Sequence, residues 1–380
     1  MQKLKVALVL DDSLDTPDGV QQYVLAVGRW LASQGHDVHY LVGHTTRSDI
    51  QNIHSLGKNL KVRFNQNRMS IPFPVSKLVT QELLAKEQFD VIHVQMPYSP
   101  MLGARVIEAA SEHTAVVGTF HVAPHSRLVS EANRALSVLL KKSLRRFDSV
   151  ISVSEQASQL AKDAFRMDSI IVPNTIDLRP FYGAAPYLEY KHTRTIVFLG
   201  RLVPRKGANY LLRAVNYIKQ QKLLEDDDWR VLICGKGPLA DQLATYVITN
   251  HLQDRVELTG FVEEADKPRY LASADIAVFP STGGESFGIV LIEGFAAARG
   301  VVLGGSNPGY REVLKNHPEN LFDPKDERAF AGILVQNLQN AELRRTAHHW
   351  QQQEARQYDV PIVGSQILEV YSSALRMRRK

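Results

Sequence analysis

The chain contains 380 residues, with a formal net charge of +5 and a single cysteine. Domains commonly contain roughly 100 to 200 residues, so this length predicts two of them. A hydrophobic fraction of 44% with 22% charged residues is typical of a globular protein. The excess of positive charge is small for this length and does not by itself indicate a nucleic-acid partner.

The sequence argues against a membrane-spanning protein and against a secreted one. None approaches the roughly 20 residues that a membrane-spanning helix requires. The amino terminus, MQKLKVALVLDD, reaches acidic residues before a signal-peptide cleavage site could form. Cys234 has no second cysteine to pair with and lies in an apolar run, which favours a buried thiol. We therefore expect a cytoplasmic protein.

The first half of the chain alternates β-rich runs with amphipathic helical patterns. Most of the runs are continuously apolar, which indicates strands buried on both faces, as in a parallel sheet. The predicted strands span residues 5–10, 37–42, 90–95, 115–120, 149–154 and 170–174.

The alternation starts again after residues 179–190, a segment rich in Pro, Gly and Tyr that we interpret as a linker. Two doubly wound α/β halves are therefore expected. Such sheets bind ligands at the carboxyl ends of their strands, where helix N-termini present N–H groups. The predicted strands of the second half span residues 195–200, 230–235, 256–260, 276–280 and 301–305.

Two residues of the first half follow strands in this way. Gly19 precedes a helix predicted to start near Val20 and suits a phosphate, although an ordinary loop glycine fits equally well. The G-x-G-x-x-G pattern is missing, which argues against a nicotinamide or flavin cofactor. His121 follows the fourth strand and has the chemistry to bind a hydroxyl or move a proton. A structural histidine is the alternative, and His93 and His125 are similarly placed.

Cations follow the first strand of the second half. Arg201 and Lys206 suit a diphosphate leaving group, whose negative charge must be stabilised as the bond to it breaks. A solvated basic loop is the alternative, because Arg205 shows that cations are plentiful here.

Glycines follow the next two strands. Gly235 and Gly237 offer small residues and free N–H groups for a phosphate or a ribose. The exposed backbone from Gly260 to Val262 is placed to read a nucleobase edge.

Glu285 and Glu293 lie eight positions apart, in a glycine-rich turn and in a helix predicted to start near Ser286. Along a helix, eight residues advance by about 12 Å. That exceeds the roughly 5 to 9.5 Å between the paired carboxylates of glycosidases. The spacing argues against an acid and nucleophile pair and favours the two ends of one long ligand, such as a sugar nucleotide. For either residue alone, an acid at a helix cap or surface is the simpler interpretation.

Metal ligation is not expected from the acidic residues. Asp11 and Asp12 are adjacent on a chain leaving a strand, so their side chains point in different directions. The run Asp226 to Asp228 precedes a strand, at the opposite edge of the sheet.

Several motifs occur together and in order: D-G-V, T-F-H, V-P-N-x-x-D, F-L-G-R-L-x-P-R-K-G, G-K-G-P, G-F-V and E-S-F-G-I-V-L-I-E. The set resembles the family 4 retaining glycosyltransferases over essentially the whole chain, and most of all the phosphatidylinositol mannosyltransferases that use GDP-mannose. The resemblance implies an α/β fold of the GT-B type, with two Rossmann-like doubly wound parallel-sheet domains facing across a cleft. Residues 1–184 with 364–380 would form the N-terminal acceptor-binding domain, and residues 185–363 the C-terminal donor-binding domain.

The resemblance also implies roles for individual residues. The catalytic set is His121 beside the reacting sugar carbon, Glu285 on the sugar hydroxyls, and Arg201 and Lys206 on the donor diphosphate. Glu293 would hold the ribose diol. Substitution would proceed on one face of the sugar without a covalent nucleophile. Besides Arg201, Lys206, Glu285 and Glu293, the expected donor-binding residues are Gly19, Gly235, Gly237, Val262, Ser286, Phe287, Gly288 and Ile289.

The resemblance suggests a function for a cluster of basic residues in the first half of the chain. Lys61, Arg63, Arg68 and Lys77 surround the apolar run IPFPV and are predicted to attach the protein to an anionic membrane or to the lipid acceptor. A solvated surface loop is the alternative.

The expected activity is transfer of a hexose, mannose from GDP-mannose, to a membrane lipid such as phosphatidylinositol or a glycolipid. It would take place at the inner face of the cell membrane, without a cofactor, an essential metal or a nucleic acid. Two alternatives stay open: a UDP-sugar-dependent enzyme with a soluble or polysaccharide-precursor acceptor, and a non-catalytic nucleotide-sugar-binding scaffold. Asp18, where many members have glycine, and the altered segment 294–307 motivate the second alternative.

Overall fold

A computed structural model describes residues 3–15, 18–64, 67–73, 75–121, 136–224, 229–285 and 287–378, with residues 59–64 and 67–71 described by their backbone alone. The chain divides into two compact units, Met1–Ile176 with Asp359–Lys380 and Asp177–Tyr358. A bridge pairs Ile176 with Asp359, and the Val360 N–H donates to the Ile176 carbonyl at 3.1 Å. The chain therefore re-enters the first unit beside the point where it left it. The boundaries predicted after residues 184 and 363 lie further along the chain.

The first unit contains a seven-stranded parallel sheet in the order β3-β2-β1-β6-β7-β8-β9, and a separate antiparallel hairpin of β4 and β5. Its strands are β1 (Lys5–Leu10), β2 (Asp37–Val42), β3 (Ile53–Ser55), β4 (Asn59–Phe64), β5 (Asn67–Pro72), β6 (Val91–Gln95), β7 (Ala115–Phe120), β8 (Ser149–Ser152) and β9 (Ile170–Ile171). Its helices are α1 (Gly19–Ser33), α2 (Lys77–Glu87), α3 (Leu102–Ala109), α4 (Lys141–Leu144), α5 (Glu155–Phe165) and, from the end of the chain, α13 (Val360–Arg378).

The continuous apolar run of β1 is buried on both faces of this sheet, as predicted. Val6 and Leu8 pack in one core cluster with α1 and with Ile367 of α13. Ala7 and Val9 point to the other face and pack in a second cluster with α2 and α3. The helices thus form two layers that cover the sheet.

The second unit contains a six-stranded parallel sheet in the order β12-β11-β10-β13-β14-β15. Its strands are β10 (Arg194–Leu199), β11 (Trp229–Cys234), β12 (Val256–Gly260), β13 (Ile276–Phe279), β14 (Val301–Gly305) and β15 (Leu321–Phe322). Its α-helices are α6 (Ala208–Gln220), α7 (Ala240–Thr249), α8 (Lys267–Ala272), α9 (Ile289–Ala297), α10 (Pro308–Val313), α11 (Glu327–Gln339) and α12 (Ala341–Arg356), and its 3₁₀ turns are Leu188–Tyr190, Pro204–Lys206 and Pro318–Asn320.

Both sheets have the strand order of a Rossmann fold, in which the order reverses beside the first strand of each unit. This point lies between β1 and β6 in the first unit and between β10 and β13 in the second. Loops leaving such neighbouring strands diverge and leave a crevice at the carboxyl edge, where ligands bind in this class of fold.

The sequence analysis missed the short strands β3 and β15 and the hairpin. β3 and β15 have three and two residues, too few for a periodic pattern. The hairpin carries polar and basic residues on both strands, and Arg63 pairs directly with Arg68 in its backbone register. The sequence analysis predicts membrane or acceptor contacts for Lys61, Arg63 and Arg68 of this segment but no strands.

A buried glutamine joins the last helix of the second unit to its sheet. The Gln351 side chain is fully buried, and its amide accepts from the Val302 N–H and donates to the Gly300 carbonyl, both at 2.7 Å. It satisfies two backbone groups at the start of β14 that the ladder leaves unpaired.

We predict that Gln351→Met lowers the free energy of unfolding by about 2 to 4 kcal/mol, because it removes both partners of two buried backbone groups at nearly unchanged volume. Urea unfolding followed by circular dichroism measures this. The matched control is Gln353→Met, an exposed position on the same helix. Equal stabilities of the two variants would contradict the assigned role.

Candidate functional site

Two loops meet where the strand order of the second sheet reverses. The loop after β13 donates to the loop after β10 through the Thr282 N–H, 2.8 Å from the Arg205 carbonyl, and through the Ser281 hydroxyl, 3.1 Å from the same oxygen. Gly207 has a φ of 78°, and a Cβ atom there would lie 1.9 Å from the Pro280 carbonyl oxygen. Only glycine allows this approach, which brings Arg205 and Lys206 beside residues 281–285.

The Glu285 carboxylate is the point where these loops join. Its Oε1 accepts from Arg205 Nη1 at 2.8 Å, Lys206 Nζ at 2.9 Å and Ser281 Oγ at 2.8 Å. Burial alone would raise the pKa of Glu285, but the nearby charges of Lys206 and Arg205 and the hydrogen bonds to the carboxylate outweigh it and lower that pKa. Glu285 is therefore an ionised hydrogen-bond acceptor at neutral pH.

Glu293 has the opposite electrostatic environment. It lies on α9 with only 3% of its surface exposed, and burial raises its pKa although the charge of Lys267 opposes the change. Lys267 also bonds to Glu264, with Nζ 2.6 Å from Oε1. Burial and charge thus shift the two glutamates in opposite directions, which is consistent with separate roles.

The predicted helix start near Ser286 is wrong. Ser286 itself lies outside the described residues, but α9 begins at Ile289. Gly288, the residue before it, has a φ of 135°, which is not a helical backbone angle. Glu285 consequently lies in the loop, and the spacing of about 12 Å derived from helical rise does not apply to it.

Phe287 is buried and packs edge-on against Tyr358, with ring centroids 5.6 Å apart. Its position makes it a core side chain beneath the loop. Of the other residues predicted here, Arg201 is exposed just after β10, and Ile289 is half-buried at the start of α9.

The glycines after β11 connect loops. The Gly235 N–H donates to the Gly260 carbonyl at 2.7 Å, so the prediction of a free N–H at this position is wrong. The Leu202 N–H in turn donates to the Lys236 carbonyl at 2.9 Å, and a Cβ atom on Gly237 would lie 2.3 Å from the Leu202 carbonyl oxygen. The three loops after β10, β11 and β12 are therefore fixed to one another.

The loop after β12 exposes an aromatic ring that the sequence analysis did not single out. Phe261 is 54% exposed, and Lys236 Nζ lies 5.4 Å from its ring centroid. Val262, the predicted contact, is half-buried beside it. An exposed ring after a strand is a signal that sequence reasoning can use, because rings of this kind stack on planar ligands.

In the first unit, His121 is buried immediately after β7. Its Nε2 lies 2.7 Å from Gln95 Oε1 on the neighbouring strand, and its ring packs edge-on against Tyr23 with centroids 4.8 Å apart. Burial lowers the pKa of His121 to about 3. The imidazole is therefore neutral, and because the Gln95 carbonyl accepts from Nε2–H, the lone pair lies on Nδ1. Within the described ranges, Nδ1 is buried without a hydrogen-bond partner.

His93, left open by the sequence, belongs to a buried hydrogen-bond chain. Its Nδ1 lies 2.7 Å from the Tyr371 hydroxyl on α13 and its Nε2 lies 2.6 Å from Thr119 Oγ1. It therefore ties α13 to the middle of the sheet. His125 lies outside the described residues.

The remaining predicted residues of the first unit are placed as follows. Gly19 is exposed and is the first residue of α1. Asp18 precedes it at the N-cap position, exposed, and its side chain makes no capping hydrogen bond to the described part of the helix. Lys77 is the first residue of α2 and is exposed. Lys61, Arg63 and Arg68 lie on the backbone of β4 and β5, and their side chains lie outside the description.

Asp11 and Asp12 have different hydrogen-bond partners. Asp11 bonds to the Ser99 hydroxyl and accepts from the Gly103 N–H at 2.7 Å, while Asp12 accepts from Gln21 at 3.2 Å. In the part of the chain that the structure describes, no three His, Cys, Asp or Glu side chains are grouped as metal ligands, and no helix has the length and apolarity to span a bilayer.

Comparison with known families and structures identifies this arrangement. A family model described as Glycosyltransferase Family 4 matches residues 17–179, and one described as Glycosyl transferases group 1 matches residues 185–356. The phosphatidyl-myo-inositol mannosyltransferase of Mycobacterium tuberculosis H37Rv is 30% identical over 97% of both chains. That of Mycolicibacterium smegmatis is 29% identical over 97% of this chain and 94% of its own.

Solved structures agree with the fold. A glycosyltransferase from Rickettsia africae superimposes with a TM-score of 0.75 at 16% identity, over 99% of both chains. The HepE protein of Anabaena, solved with UDP and glucose, gives 0.73 at 17% identity, over 97% of this chain and all of its own. The predicted GT-B fold and the predicted resemblance are confirmed. The chain belongs to the family 4 glycosyltransferases and is a glycosyltransferase.

Proposed function

We propose that this glycosyltransferase moves a mannosyl residue from GDP-mannose to a phosphatidylinositol-type lipid, with retention of the anomeric configuration. The observation that carries the proposal is the identity of 30% over nearly the whole chain with a phosphatidyl-myo-inositol mannosyltransferase. The chemistry of the second unit supports it, because it offers separate groups for the two ends of a sugar nucleotide.

The cations of the 200–207 loop match the donor diphosphate. Arg205 and Lys206 are held on Glu285 in the unliganded protein, and Arg201 is exposed nearby in sequence. A diphosphate brings negative charge that the two paired cations can share with Glu285. We propose that these cations stabilise the leaving group in place of a metal ion.

Glu285 is suited to sugar hydroxyls, because an ionised carboxylate accepts hydrogen bonds and donates none. Its pKa is lowered, so this state persists below neutral pH. Glu293, whose pKa is raised by burial, is suited to the ribose diol. In the proposed step the bond from the anomeric carbon to the phosphate oxygen breaks, the acceptor oxygen binds the same face of that carbon, and its proton passes to the leaving phosphate.

The role proposed for His121, support of the positive charge that develops at the sugar carbon, requires a neutral imidazole. Burial and the hydrogen bond to Gln95 provide one, with the lone pair on Nδ1. An imidazolium at this position would oppose the developing charge.

A lipid acceptor requires access to a membrane. Lys77 at the start of α2 is accompanied by exposed apolar side chains, Phe73 at 57%, Leu78 at 65% and Val79 at 49%. A cation among exposed apolar groups suits peripheral attachment to an anionic surface. We propose that the protein works on the cytoplasmic face of the membrane in this way.

The proposal predicts a mannosylated phosphatidylinositol as product when the purified protein is incubated with GDP-mannose and vesicles that contain the lipid. Mass spectrometry identifies the product and nuclear magnetic resonance its anomeric configuration. Since no metal is required, the rate in excess EDTA should stay within about twofold of the untreated rate. Turnover of UDP-sugars alone, an inverted product or loss of activity in EDTA would each refute the corresponding part.

We predict that Arg205 contributes to activity through its contact with Glu285. Arg205→Met should lower kcat/KM by about 10- to 100-fold, because one charge-assisted hydrogen bond is lost. Glu285→Gln should lower it by about 100- to 1,000-fold. The double variant should resemble Glu285→Gln, since both changes break one contact. Arg213→Met, on the exposed side of α6, is the matched control and should act like the wild type. Additive effects of the two changes would show that the contact is not used.

The pH profile tests the neutral imidazole. With a pKa of about 3, His121 should produce no acidic limb between pH 5 and 8 in the wild type. Gln95→Glu places a carboxylate on Nε2–H and should raise the pKa of His121, so that activity falls as the pH drops through the new value and recovers above it. Gln95→Met loses the hydrogen bond without adding charge and should lower activity evenly across pH. Identical profiles for the two variants would exclude this role.

A further inference from the structure

A short helix of the first unit exposes an unusual face. Residues 136–139 and α4 are two short helical segments joined at Leu140, where the Leu140 N–H donates to the Leu136 carbonyl at 2.9 Å and the Leu144 N–H to the Leu140 carbonyl at 2.9 Å. We call these two segments together the 136–145 helix.

The inner side of the 136–145 helix is an ordinary core stripe. Leu140, Ser143 and Leu144 have 6%, 3% and 8% of their surface exposed, and the two leucines pack with α5 and with Ala104 of α3. These positions follow the helical spacing of three and four residues, so they define one face. The outer face is therefore set by the residues between them.

That outer face combines apolar and cationic groups. Val138 and Leu139 are 75% and 74% exposed, and Lys141, Lys142 and Arg145 are exposed around them. The segment LSVLLKKSLRR contains no acidic residue. Single exposed apolar residues are common on protein surfaces, but two adjacent large ones at this exposure beside three exposed charges of one sign are typical of a helix that lies at a membrane interface.

The position of the helix agrees with this. α3 packs against both α2 and α4, so the three helices belong to one layer over the same face of the sheet. The start of α2, with Lys77 and the exposed Leu78 and Val79, belongs to that layer too. The two surfaces therefore lie on one side of the first unit.

We infer that the outer face of the 136–145 helix docks on an anionic membrane, with Val138 and Leu139 in the headgroup region and Lys141, Lys142 and Arg145 on lipid phosphates. It is a second contact besides the segment that contains Lys77. The inference rests on the proposed action on a membrane lipid, but its test needs no sugar transfer.

The experiment is sedimentation of the full chain with phosphatidylcholine vesicles that contain about 30 mol% phosphatidylglycerol, at low and at physiological salt. Each cation near such a surface strengthens binding by about fivefold. The variant Lys141→Gln/Lys142→Gln/Arg145→Gln should therefore bind at least tenfold more weakly, with a reduced dependence on salt. Val138→Ser/Leu139→Ser should bind several-fold more weakly at both salt concentrations, because its lost contribution is apolar.

Matched controls carry the same changes on exposed residues of the second unit: Lys325→Gln/Arg328→Gln/Arg345→Gln and Leu188→Ser/Ile248→Ser. They should bind like the wild type. All variants should keep the wild-type rate on a dispersed short-chain phosphatidylinositol, which shows that they are folded.

Two results would overturn the inference. One is vesicle binding of the helix variants equal to that of the controls. The other is a change in their molar mass by light scattering, which would show that the face covers a second copy of the chain. Lack of activity on every acceptor with normal vesicle binding would refute the proposed function and leave the docking surface standing.

Discussion

One carboxylate oxygen holds the reversal point of the second sheet together. Oε1 of Glu285 receives two cations and a hydroxyl from two loops that leave neighbouring strands. Without that oxygen, Arg205 and Lys206 would repel each other in a half-buried crevice. Without the cations, the free-energy cost of desolvating the carboxylate would not be compensated. In the unliganded site the carboxylate thus offsets only one of the two positive charges, and the three groups together keep a net positive charge. A donor diphosphate is a second anion for the same cations. Donor binding is therefore coupled to the arrangement of these loops.

Much of this could be predicted from the sequence, because the parallel-sheet pattern and the rule that ligands bind after the strands depend only on apolar runs and turns. Lys206 and Glu285 were identified in that way. Their contact was not, because residues 79 positions apart meet only once the strand order brings β10 and β13 together. Arg205 was interpreted as one of many basic residues for the same reason. The helix start at Ile289 depends on the backbone angle of Gly288, which an apolar pattern does not reveal.

Burial explains the rest of the difference. The sequence marked His121 by its place after a strand, but its neutral state follows from its depth and from Gln95 on the adjacent strand. Glu293 was expected at a helix surface when considered alone, and its burial is what separates its electrostatics from those of Glu285. The 136–145 helix was not singled out in the sequence. Its exposed apolar pair could be recognised only after Leu140 and Leu144 had been assigned to the core.

The return of α13 to the first unit has a consequence for how the protein is made. Val363, Ile367 and Tyr371 of this helix complete the core around β1, and Tyr371 reaches the sheet through His93. The first unit therefore lacks part of its core until α13 has left the ribosome. The second unit is continuous in the chain from Asp177 to Tyr358 and has all of its strands earlier. During synthesis, the second unit can therefore finish folding before the first unit. The first unit completes its core only when α13 is added.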